Sequence, residues 1–162
     1  MQDHALREHL VALLTKEMAH AGFEAAVKGF PVERINERVD GMEYSAWELL
    51  YHLRITQWDI LDFSRNPEYQ TLEWPKGYWP DPQARASAEE WSGEIEAFRR
   101  HLAAMVALVE KPDTDLFAMI PHGSGQTILR EALLVAGHNA YHVGQLILLR
   151  KLMGVWGAWT PA

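Results

Sequence analysis

Three histidines carry the chemistry that this sequence offers. Two of them, His138 and His142, stand four positions apart in "HNAYHVGQLILLR", residues 138 to 150, and the third, His52, lies in "WELLYHLRITQWDIL". On a helix, residues four apart sit one turn above each other with Cβ atoms roughly 5–6 Å apart, so two imidazoles can reach one ion at about 2.0–2.1 Å each. The chain has no cysteine, which removes disulfides, thiolate metal sites and cysteine nucleophiles, and leaves His, Asp and Glu as the only ligands for a metal. Three neutral imidazoles would leave a divalent ion its full charge and at least one open position, as catalytic zinc sites do. Such a shell suits zinc and nickel best and also accepts manganese, iron or copper. Water or a thiol on that ion would be acidified. Two chemistries follow: attack on an electrophile by a low-molecular-weight thiol, or hydrolysis of a substrate.

For the histidines to meet, helices must carry them on facing stripes, and the periodicity supplies these. Residues from about Thr127 to Met153 form a helix whose inward stripe is Ile128, Ala132, Val135, His138, His142, Leu149 and Leu152, closed by Gly154 at a C-cap position. A helix opening on "SAWE", with Ser45 and Glu48 as a capping box, continues to about Phe63 and presents Leu49, His52, Leu53, Thr56, Ile60 and Phe63 inward. If these two helices are neighbours, three imidazoles converge. A further helix opens on the Ser87–Glu90 capping box and carries Trp91, Ile95, Phe98, Leu102, Met105 and Val109 before stopping ahead of Pro112. A plain amphipathic helix runs from about Asp3 to His20, with Leu6, Leu10, Leu13, Leu14 and Met18 on one face. No period-two segment competes, so the expectation is an all-α four-helix bundle, one domain over residues 1–162.

Residues 65 to 86 form a long aperiodic link between the second and third helices, rich in Pro and aromatic residues. Its Tyr69, Trp74, Tyr78 and Trp79 bring enough apolar area to dock it, and its length lets it cross the bundle so that the helices it joins run parallel. The other chemistry-bearing side chains are expected to support rather than react. Gln145, one turn beyond His142, and Glu131, about two turns before His138, are read as supporting the ligands from behind or as structural rather than catalytic. Asn139 and Tyr141 leave the stripe and should pack against neighbours. His4, His9, His20 and His101 are read as surface or edge residues, with His122, in "PHGSG", the one loop histidine that could reach the rim of the site.

The "H-N-x-Y-H-x-G-Q-L" pattern, here "HNAYHVGQL", and the histidine of "WELLYHLRITQWDIL" resemble the DinB-like (damage-inducible) superfamily of four-helix-bundle metalloenzymes, over nearly the whole chain. That superfamily includes bacillithiol-, mycothiol- and glutathione-dependent transferases and isomerases. The resemblance implies an up-down-down-up bundle with a long link between helices two and three, often a homodimer, and a metal bound by His52, His138 and His142, the residues that the stripes select independently.

Composition narrows the remaining classes. A formal charge of −7, from 15 basic and 22 acidic residues, with the basic ones scattered, speaks against nucleic acid as a partner. No apolar run reaches the roughly 20 residues of a membrane span, and the charged N-terminus lacks a signal-peptide core. A cytoplasmic protein acting on a small molecule is expected. The sequence reading is a metal-dependent transferase using a low-molecular-weight thiol, with a metal-dependent hydrolase or a non-catalytic metal-binding stress protein as its rivals.

Overall fold

The computed structural model describes residues 2–157 of the chain. Five α-helices make up the fold: α1 (Gln2–Thr15), α2 (Phe23–Val27), α3 (Ala46–Arg65), α4 (Ala88–Glu110) and α5 (Ile128–Leu152), with a 3-10 turn at Val32–Arg34. The four long ones are the expected bundle helices, and no strand occurs among the described residues. The helix starts follow from their caps. Ser45 and Ser87 each accept from the amide three residues on while Glu48 and Glu90 reach back, closing two capping boxes, and Thr127 accepts from the Arg130 amide to open α5. Gly154, at φ 70°, takes the left-handed conformation just beyond α5 that a side chain would resist.

The directions of the helices can be read from their contacts. Arg54 pairs with Glu94, and Gln57 donates to the Phe98 carbonyl, so the pairing advances along both chains and α3 runs parallel to α4. The first half of α3 (Leu49, Leu50, Leu53) packs with the second half of α5 (Val143, Leu146, Leu149), whereas Ile60 and Leu61 pack with Ile128, Ala132 and Val135; α5 is therefore antiparallel to α3. Arg7 on α1 reaches the carbonyls of Val109, Lys111 and Thr114 at the end of α4, so α1 begins where α4 finishes. The result is an up-down-down-up bundle, with residues 66–86 crossing its length. Each fully buried Leu of this core contributes roughly 1.5–3 kcal/mol.

Four details differ from the sequence expectation. The chain leaves α1 at Thr15, so Met18 is exposed rather than part of a buried face, and Leu13 is half in solvent. Leu152, expected on the inward stripe of α5, is 51% exposed because the helix passes beyond the end of α3 there. The short α2 was not expected. Its Ala26 and Val27, with Phe30 and Ile35 after it, close one end of the core, and Arg150 on α5 holds it by donating to the carbonyls of Ala25, Ala26 and Lys28. Finally, α5 is by length and composition alone apolar enough to cross a membrane. Here it is the central helix, packed against each of the other four.

Candidate metal centre

α3 and α5 lie side by side and bring His52, His138 and His142 together. Each ring offers one nitrogen, and the three nitrogens lie within 4.8 Å of one another. Nε2 of His138 is 3.1 Å from Nε2 of His52, close to the separation of about 3.3 Å kept by two nitrogens that share one tetrahedral ion at 2.0–2.1 Å. His52 is 4% exposed and His142 is buried beside it.

The outer nitrogens decide what the inner ones present. Nδ1 of His52 is 3.0 Å from the Tyr78 carbonyl oxygen. A carbonyl only accepts, so Nδ1 carries the hydrogen and Nε2 of the neutral ring is a bare lone pair. Nδ1 of His142 likewise donates to Oε1 of Gln145 at 2.6 Å. All three rings are neutral at ordinary pH. Burial pushes His52 down to about 4, and the neighbouring His142 adds to the effect, against the hydrogen bond to Tyr78. Burial, then His142 and His52, push His138 down to about 3, and burial lowers His142 as well. Neutral imidazoles with inward lone pairs form a donor set for a divalent cation. A proton on Nε2 of His138 would satisfy His52 alone, whereas one cation satisfies all three inner nitrogens, so the residues present fit a metal ion.

One wall of the site comes from the link. Trp79 lies flat on the His52 ring, centroids 4.0 Å apart and planes 3° from parallel, and Tyr44 stacks on its other face at 4.0 Å. The link is anchored by a buried carboxylate: Asp59, 7% exposed and two turns along α3 from His52, accepts from the hydroxyls of Tyr69 at 2.9 Å and Tyr78 at 2.8 Å. Burial, and then the Asp59 carboxylate, hold both phenols above their usual range, so both stay protonated as donors. The sequence reading missed Asp59. It sits among apolar residues on α3, and its partners lie 10 and 19 positions away in a segment without periodicity; the only signal was a pair of tyrosines in a link that had to dock somewhere.

The remaining expected residues fall elsewhere. Asn139 packs inward and donates to Gln57 at 2.7 Å. Tyr141, expected to pack against neighbours, is 65% exposed and touches the His142 ring with its edge. Glu131 is buried and paired with Arg130. His122 does not reach the rim: it bonds the Phe63 carbonyl at the far end of α3, roughly 16 Å along the helix from His52. A cavity of about 210 Å³ lies behind α5, between α1, α2 and α4, and none of the three histidines lines it.

An all-helical bundle in which three imidazoles, two of them buried and His138 partly so, converge from two helices could hold a metal ion. The family model of the DinB superfamily matches residues 16–146, well over half of the chain and including all three histidines, and the chain belongs to that superfamily. No curated protein and no solved structure matches it.

Proposed function

We propose that this protein is a metal-dependent transferase that uses a low-molecular-weight thiol as cosubstrate, with one divalent ion, zinc or nickel foremost, held by His52, His138 and His142. The observation that carries the reading is the tris-imidazole cluster itself: three neutral rings, two of them locked with their lone pairs inward, and no anionic ligand among the described residues to reduce the charge of the ion. Such an ion, when bound, lowers the pKa of a coordinated thiol into the neutral range and so supplies the nucleophile. The chain has no cysteine, so the thiol comes from outside.

The protein's own residues hold and shield. Tyr78 and Gln145 keep the His52 and His142 rings in the tautomer that leaves the inner nitrogen free. Trp79 and Tyr44 exclude water from one side of His52, which strengthens every electrostatic interaction inside. The reading also takes the protein to work in the cytoplasm, where low-molecular-weight thiols are kept reduced.

Metal analysis of freshly purified protein should return one divalent ion per chain. With cobalt at the site, adding the correct thiol from a panel of bacillithiol, mycothiol and glutathione should produce an intense near-ultraviolet sulfur-to-metal charge-transfer band. The loaded protein should then accelerate conjugation of that thiol to a soft electrophile such as an epoxide or quinone. If no thiol gives the band while an ester or amide turns over, the protein is a hydrolase; if neither occurs, it binds metal without catalysis.

A further inference from the structure

We infer that Asp59 is a positioning residue of the metal centre, acting on His52 through Tyr78. The inference rests on the metal-binding reading of the three histidines. Tyr78 is held at two points. Its hydroxyl donates to Asp59 at 2.8 Å, and its main-chain carbonyl accepts from Nδ1 of His52 at 3.0 Å. The residue that follows it, Trp79, lies flat on the same imidazole. One short stretch of the link thus sets both the tautomer of His52, through the carbonyl, and the plane of its ring, through the indole.

That stretch is a turn outside any helix, closed by the Gly77 amide on the Glu73 carbonyl at 2.6 Å and the Tyr78 amide on the Pro75 carbonyl at 3.0 Å. The turn fixes its local backbone and Trp79 stacks on the ring, while the hydrogen bond from the Tyr78 hydroxyl to the Asp59 carboxylate ties the turn to α3 beyond the ring itself. Asp59 and His52 belong to the same helix, seven residues and so about 10 Å apart, which makes α3 the rigid ruler between anchor and ligand. The carboxylate is buried with no Lys, Arg or His paired to it among the described residues, and its two phenol donors are what make that burial tolerable. Outer groups that orient a ligating imidazole typically contribute 10- to 100-fold to metal affinity.

Tyr69 provides the control. Its hydroxyl also bonds Asp59, at 2.9 Å, yet it is Tyr78 whose carbonyl meets His52. If Asp59 only docks the link, Tyr69→Phe and Tyr78→Phe should be equivalent. If it positions His52, they separate. The test uses the full chain and two measurements: cobalt affinity by competition with a chelator, and the ¹⁵N shifts of His52 in metal-free protein, which report which ring nitrogen carries the hydrogen. Tyr78→Phe and Asp59→Asn should each weaken cobalt binding at least 10-fold and turn the single His52 Nδ1–H tautomer into a mixture, while Tyr69→Phe should leave both readings within twofold of the parent. Equal affinities and an unchanged tautomer in Tyr78→Phe and Tyr69→Phe would overturn the assignment, and Tyr78→Phe decides the matter alone if Asp59→Asn fails to fold. A parent protein that binds no cobalt would sink the metal reading instead, and the tautomer measurement would still decide the role of Asp59.

Discussion

His52, His138 and His142 were legible because each replaces an apolar residue on an inward stripe, and a buried imidazole is conspicuous where leucine is expected. Single replacement by Ala should remove most of the bound metal, and the His138→Ala, His142→Ala double variant should bind none; full metal content in the double variant, measured by atomic emission after dialysis, would refute the site. The same burial predicts an acid weakness in the metal-free protein. The unfolded histidines titrate near 6.5, whereas the folded His52 and His138 lie at about 4 and about 3. Above pH 6.5 both states are neutral and the contribution to stability is complete. As pH falls below that, the unfolded chain takes up protons that the folded rings refuse, and stability falls by up to about 1.4 kcal/mol per pH unit for each histidine until the folded values are passed. Urea midpoints of metal-free protein at pH 7, 6 and 5 should show this loss, and a His52→Gln, His138→Gln variant should show a shallower one. Equal slopes would mean that the rings are not held neutral by the fold.

The helices show where sequence reasoning succeeds and why it stops. Ser45 and Ser87, each followed three residues later by Glu, announced two helix starts, and Gly154 an end. The length of the link implied the parallel run of α3 and α4, which Arg54 with Glu94 and Gln57 with Phe98 display. The short α2 escaped notice because five residues are too few for a period to emerge. It exists through a tertiary partner: Arg150, buried on α5, serves the carbonyls that such a helix cannot satisfy alone. Arg150→Met keeps most of the side-chain bulk and removes the donors, so it should destabilise the protein by about 3 kcal/mol, within the range for stranding buried acceptors. Chemical denaturation would measure it, and a change under about 0.5 kcal/mol would show that α2 holds without this residue.

At the scale of the molecule, the outer face of α5 is unusual for so central a helix. Leu133, Tyr141, Leu148 and Leu152 are all substantially exposed along it, and a homodimer, which we propose from the family resemblance, would cover such a surface. Light scattering at micromolar concentration should return twice the 18.5 kDa of one chain; a single-chain mass would exclude the dimer. The acidic balance belongs to this scale too: a formal charge of −7 is read from composition alone.

The crossing of residues 66–86 has one more consequence. Two parallel helices in one bundle oblige the chain to travel back along their full length, and this protein ties that return journey down at a few points: Tyr69 and Tyr78 on Asp59, Trp79 on His52, and Ala86 on Asn36. Between the first two of these, most of residues 70–76 stand in solvent, with Trp74 exposed. The exposed side chains of the span are therefore exchangeable, provided the turn closed on the Glu73 and Pro75 carbonyls is kept. Replacing the exposed Gln70, Glu73 and Lys76 together should leave the melting temperature and the metal content near those of the parent, so that new flanks can be fitted beside the same ion without redesigning the bundle.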